Sequence, residues 1–216
     1  MTRKKTYIMG VDLGQTADFT AVAVLDVVGP VDLAGKPIIG EYDYQCVYLE
    51  RYPLGMPYTE MVRKIRDLLF TPELAGRCVL VVDATGVGAP VIDLLYEAGL
   101  QPISIVIHGG KALNHEEGSN VYYVPKRDII DVVKILIEQK RLGFAQVLPD
   151  TVTLAKEMIE YQVKIDPQTA HDSYNARQGA HDDYILAVAL PVWYLEKAPV
   201  VYYEVGFLPP IHIGNY

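Results

Sequence analysis

Apolar and polar positions change their period along the chain, and the change divides it into a strand-rich first part and a helix-rich remainder. Residues 6–11 are apolar and run into Asp12-Leu13-Gly14-Gln15-Thr16, the pattern of a strand entering a turn. Phe19 to Val28 is dense in β-branched residues and predicts a second strand. The Gly and Pro content of Gly29 to Gly40 predicts a loop. Glu41 to Arg51 alternates polar with apolar or aromatic residues, as a half-buried third strand does. No helical period separates these three, so an antiparallel meander is expected.

Beyond them the period lengthens. Met61, Val62, Ile65, Leu68 and Leu69 follow Thr59 at helical spacing, with charges between them. Cys78 to Val82 is a continuous apolar run, as a central strand covered on both faces requires, and it ends at Asp83. Gly86-Val87-Gly88 opens a helix to about Ala98, and Ile103 to Ile107 is a fifth strand. Lys111 to Val124 reads as polar and irregular. Pro125 then starts an amphipathic helix carrying Ile129, Ile130, Val133, Leu136 and Ile137. Thr151 to Val163 is a further helix, residues 166–179 a polar loop, and Ala180 to Leu195 a last helix with Pro191 as a point of bending. Strands first, then alternating helix and strand, then helices, is the order of a mixed sheet with helices on both faces. One domain over residues 1–197 and a tail over 198–216, rich in proline and aromatics, is the expected organisation.

Composition removes several classes. With 50% hydrophobic and 21% charged residues the chain is an ordinary globular protein. No apolar run reaches the ~20 residues of a membrane span, and the apolar stretch near the N-terminus is broken by Asp12, so no membrane role is expected. Cys46 and Cys78 lie far apart without metal-ligand spacing, which favours a reducing, cytoplasmic setting. The net charge of −8 weighs against unaided nucleic-acid binding, because phosphate neutralisation supplies much of that affinity. Clusters of acids that bind metal would account for part of the excess. The sixteen tyrosines form no stripe, so packing explains them better than base stacking.

The acids themselves carry the chemistry. Asp12 ends the first strand, Asp83 ends a buried strand, and Asp182 and Asp183 open the last helix, a favourable place for carboxylates. Strand ends in an open sheet share one crevice, into which a helix N-terminus can point. Carboxylates gathered there repel unless cations are present. Two Mg²⁺ or Mn²⁺ ions, roughly 3.5–4 Å apart in two-metal sites, would relieve the repulsion and activate a water. Taken singly, each Asp equally suits a turn or a helix cap.

Four segments in order, GVDLGQTADFTAVAVLD, VLVVDATGVGAPVIDLL, VPKRDIIDVVKIL and AHDDYILAVAL, resemble the nuclease domain of phage terminase large subunits, the DNA-packaging proteins that cut concatemeric viral DNA. The resemblance spans about residues 6–195. It implies a ribonuclease H-like fold, an antiparallel trio of strands followed by parallel ones, and two-metal hydrolysis of double-stranded DNA. On it, Asp12, Asp83, Asp182 and Asp183 are the catalytic metal ligands, and Asp18 an additional acid. Lys126 and Arg127, opening a helix, are candidates for DNA phosphate, or simply two solvated charges. His181 is a candidate to orient water or carboxylate, or an ordinary surface histidine. Residues 111–120 are either an element beside the DNA groove or a solvent loop.

The sequence also departs from that family, since Gly35-Lys36-Pro37 lacks the spacing and the Ser or Thr of a phosphate-binding loop. The expectation is therefore a nuclease that depends on an ATPase domain or subunit, and on portal and small-terminase partners, in the cytoplasm of a phage-infected host. Three rival readings remain at this level, one of them a non-catalytic module in which the acids are structural. Asp12-Leu-Gly-Gln-Thr and Asp83-Ala-Thr-Gly-Val-Gly also resemble the phosphate-binding turns of actin-like ATPases and sugar kinases, which give no role to Asp182 with Asp183. A junction-resolving nuclease of the same fold would use the same acids on a different DNA structure.

Overall fold

The computed structural model describes residues 3–14, 18–30, 42–86, 89–116, 118–164 and 182–198. Its eight-stranded sheet has the order β6-β7-β5-β4-β1-β2-β3-β8. The strands β1 (Arg3–Asp12), β2 (Ala21–Pro30) and β3 (Asp43–Arg51) form the expected antiparallel meander. β4 (Cys78–Asp83) adds parallel to β1, and β5 (Ile103–His108) parallel to β4. Helices α1 (Tyr58–Leu69) and α2 (Ala89–Glu97) pack on one face, and α3 (Lys126–Glu138), α4 (Thr151–Lys164) and α5 (Asp183–Lys197) lie on the other. This is the expected mixed sheet, with the antiparallel trio, the parallel extension and both faces covered.

Strand alternation assigns the faces. Along β1, Met9 and Val11 join the core beneath α1 and α2, and Ile8 joins the core beneath α5. Along β2, Val22 and Val24 turn to the first, and Ala21, Ala23 and Leu25 to the second. Residues two apart share a face, so the period of the strand decides what each meets. α1 buries Met61, Val62 and Ile65, one stripe at helical spacing. α5 differs, being buried from Asp183 through Trp193. It is covered by the sheet on one side and by α3 and α4 on the other, which is why its sequence is apolar all round.

α5 sits unusually close to β1. A Cβ built on Gly10 would lie 2.5 Å from Pro191 Cδ and 2.8 Å from Pro191 Cγ, and closer still to the Ala187 carbonyl oxygen. Proline at 191 supplies no N–H for the carbonyl four residues earlier, which is that of Ala187. The opposing small residues Ala21 and Ala23, both fully buried, continue the seat for the helix on β2.

Several segments differ from expectation. The stretch expected to be irregular from Lys111 to Val124 holds strand β6 (Asn114–His115) and most of strand β7 (Val121–Pro125), the latter parallel to β5, and α3 follows from Lys126. The five residues of β7 are too short for their alternation to stand out, and it is the pairing with β5 that makes them a strand. β8 (Leu142–Phe144), also unforeseen, exists through parallel pairing with Tyr44–Cys46 of β3. The last helix starts at Asp183 rather than Ala180. Gly29 and Pro30, expected to open a loop, instead end β2 by pairing with Lys4 and Arg3; the rest of that loop over 31–40, His181, the loop over 166–179, Gly88 and the tail beyond Ala198 lie outside the described residues. Among the described residues, no helix is long and apolar enough to cross a membrane.

Candidate active site

β1 and β4 lie side by side in parallel and each ends on an acid. Their register pairs Gly10 with Val81 and Val11 with Val82, so one further step sets Asp12 beside Asp83. Both belong to the face covered by α5, because Asp12 follows Gly10 and Asp83 follows Val81 at the strand period. Both are buried, at 8% and 6% relative exposure.

Turn chemistry fixes Asp83. Its Oδ1 accepts a 2.7 Å hydrogen bond from the Thr85 backbone N–H, and the Thr85 hydroxyl oxygen accepts one of 2.7 Å from the Ile107 N–H on β5. The chain then turns at Gly86 with φ 73°, a conformation that favours glycine. The Asp83-Ala-Thr-Gly segment thus ties the carboxylate to two neighbouring strands.

The start of α5 brings the other pair. Asp182 holds the N-cap position, yet its side chain makes no capping hydrogen bond. Its Oδ2 instead accepts from Lys126 Nζ at 2.7 Å, at the beginning of α3. Asp183 is buried, and Arg51 Nη2 of β3 stands 3.2 Å from its Oδ2. Arg51 also ion-pairs with Glu157 of α4, and Glu157 Oε2 accepts a 3.1 Å hydrogen bond from the Tyr184 backbone N–H. The cap that Asp182 leaves unmade is therefore supplied from another helix.

The electrostatics register this convergence. Burial pushes the Asp12 carboxyl well above its ordinary value, and the charges of Asp83, Asp183 and Asp182 push it further, against the pull of Lys126. Burial likewise raises Asp83, opposed by its hydrogen bonds from Thr85 and by Lys126. Burial carries Glu157 up to about 7, although Arg51 acts the other way. Four acids from three distant stretches of chain thus lie within one another's field, with one lysine among them. Among the described residues, no three acidic, histidine or cysteine side chains stand as a ready grip for a metal ion. Asp182 is engaged by Lys126 and Asp183 by Arg51.

Of the residues singled out in the sequence, Asp12, Asp83, Asp182, Asp183 and Lys126 come together. Arg127 is exposed and pairs with Asp131 at 3.4 Å along its own helix, and Asp18 is exposed. Arg51 and Glu157 were missed. The available signal was strand alternation, which places Arg51 on the same face as Leu49, toward α5. For Glu157 it was a carboxylate three residues after Leu154, where a helix buries its inner face.

The molecule is therefore an α/β protein with a carboxylate cluster at the ends of two parallel strands. No family model and no curated protein matches the sequence. Among solved structures it is similar to the large terminase nuclease from the thermophilic phage G20c, at 18% identity over 89% of this chain and 83% of that chain, with a TM-score of 0.49. It is also similar to a manganese-soaked human cytomegalovirus terminase nuclease domain, at 16% identity over 91% and 86%, with a TM-score of 0.47.

Proposed function

We propose that this chain is a metal-dependent DNA endonuclease of the terminase nuclease kind, cutting double-stranded DNA by hydrolysis. The observation that carries the reading is the convergence of acids: the parallel register sets the buried Asp12 beside the buried Asp83, and the start of α5 brings Asp183 and Asp182 close enough for their charges to act on Asp12. Acids that perturb one another in this way cluster at functional sites. A divalent cation accounts for the cluster, since hard cations take oxygen ligands and all four side chains offer only those.

In this reading Asp12, Asp83, Asp182 and Asp183 hold two Mg²⁺ or Mn²⁺ ions. When bound, such ions activate water for attack on phosphorus and stabilise the departing 3′ oxygen. The chain's own residues prepare for this. Thr85 orients Asp83, and the parallel register sets Asp12 beside it. Lys126 and Arg51 neutralise part of the charge of Asp182 and Asp183, the two acids that would hold a cation from the α5 side. Lys126, at the start of α3, is also a candidate contact for a DNA phosphate. Arg127 beside it is a second phosphate contact, and Asp18 an outlying acid. The net charge of −8 fits weak intrinsic DNA affinity, with an ATPase domain or subunit, and the portal and small terminase, presenting the substrate.

Plasmid cleavage with Mg²⁺, Mn²⁺ or EDTA, with Asp12→Asn in parallel, tests the proposal. Cutting that needs the metal and disappears in the variant is expected. If the parent fails with every metal while an ATP titration shows tight binding, a nucleotide-binding protein replaces the nuclease.

A further inference from the structure

Arg51 reaches the acidic cluster across the sheet. Register pairs Asp12 with Ala21, and Ala21 with Arg51, so the three lie in one row over β1, β2 and β3. All three belong to the face under α5, and Ala21 is too small to fill the space between the other two. The guanidinium occupies that side of the row, 4.2 Å from the centre of the Tyr184 ring and 4.9 Å from that of Phe19. Two aromatic rings hold its plane while the charge remains available.

From there it serves two carboxylates on different helices. Arg51 Nη2 pairs with Glu157 Oε1 and stands 3.2 Å from Asp183 Oδ2. The other oxygen of Glu157 accepts from the Tyr184 N–H in the first turn of α5. Glu157 is 5% exposed on a helix whose outer residues Val152 and Ile159 are 66% and 64% exposed. A buried carboxylate at an inward position of such a helix is costly unless it is paired.

We infer that Arg51 and Glu157 are positioning residues for the acidic cluster: Glu157 fixes the first turn of α5, and by holding Arg51 it limits how strongly that arginine competes with a cation for Asp183. The second half of this inference rests on the metal-binding reading above, and the first half does not. Without the negative charge of Glu157, Arg51 turns wholly to Asp183 and the cation site weakens. Without its acceptor oxygen, the Tyr184 N–H loses its partner and the helix start loosens.

Three proteins separate these effects: the parent, Glu157→Gln, which keeps an acceptor but removes the charge, and Glu157→Ala, which removes both. Amide hydrogen exchange at Tyr184 reads the helix start. About tenfold faster exchange is expected in Glu157→Ala and near-parent exchange in Glu157→Gln; parent-like exchange in Glu157→Ala overturns the positioning of α5. Calorimetric titration with Mn²⁺ reads the cluster. Glu157→Gln is expected to bind roughly tenfold to a hundredfold more weakly, as loss of a partner behind a metal ligand typically does, while its metal-free thermal midpoint stays near the parent's. A purely structural glutamate would shift the midpoint and leave the Mn²⁺ affinity unchanged, and that result overturns the competition between Arg51 and a cation. If the parent itself binds no Mn²⁺, the metal reading falls and takes the competition with it, while the exchange data still decide the positioning of α5.

Discussion

Gly10→Ala is a single methyl group placed where β1 and α5 meet, and its consequences follow from distances. The new Cβ would be 2.5 Å from Pro191 Cδ, whereas ordinary contacts begin near 3.4 Å, so the helix must withdraw by at least about 0.9 Å, and further to clear the nearer Ala187 oxygen. The neighbouring Ala187 oxygen is backbone and cannot rotate away. Overpacking a core typically costs ~1–3 kcal/mol, and a clash with backbone belongs at or above the upper end. For a chain of this size ~3 kcal/mol corresponds to a thermal midpoint lowered by roughly 6–12 °C. The displacement also reaches the site. Asp12 is two residues beyond Gly10, and α5 carries Asp183 at its start, so the two acids separate as the helix lifts. Misplacement by ~1 Å can cost ~100-fold in rate. Thermal unfolding and plasmid cleavage of the variant, each beside the parent, measure the two effects. A midpoint within 2 °C of the parent, an illustrative margin of about one kcal/mol or less, together with parent-like cutting would refute the proposed contact between β1 and α5.

Three other perturbations test the acidic cluster. Because the Asp12 carboxyl is raised in the folded protein, its contribution to stability is greatest in acid and is lost as pH rises from the unfolded value near 3.8 through the folded one. Asp12→Asn should therefore flatten the metal-free decline and make the protein more stable at neutral pH while abolishing cutting; denaturant titrations across pH show whether the slope is unchanged, which would count against the raised carboxyl. Mn²⁺ at ~100 times its dissociation constant should stabilise the parent by ~2.7 kcal/mol, a rise of roughly 5–11 °C in midpoint, removed by EDTA and absent in Asp12→Asn; a parent midpoint insensitive to the ion excludes binding to the folded state. Lys126 lowers the carboxyls of both Asp12 and Asp83, so Lys126→Met should move the acid limb of the cutting profile to higher pH, and a profile left in place would show that the lysine does not act on them.

The meander of β1 to β3 and the parallel strands β4 and β5 were legible from the sequence because each carries enough residues for its period to show. Alternation in β3 and the continuous apolar run of Cys78 to Val82 report burial on one face or two, and burial is what selects those residue types. Asp12 and Asp83 were legible for a related reason: an acid that ends an apolar run interrupts the pattern and stands at a strand end. β7 and β8 were not, since segments of five and three residues owe their conformation to a neighbouring strand rather than to their own propensity.

What the sequence by itself determined, then, was the set of elements, the class of fold and the acids that mark strand and helix ends. Those features depend on interactions among residues near one another in the chain. Tertiary structure alone decided that Asp182 turns from capping its helix to Lys126, and that the missing cap comes from Glu157. It alone carried Arg51 over Ala21 to Asp183, residues 132 positions apart from end to end of the pair in sequence yet 3.2 Å apart in space. The physical reason is that charge acts through distance and burial, and both are set by which strands and helices pack together, a property that no local pattern contains.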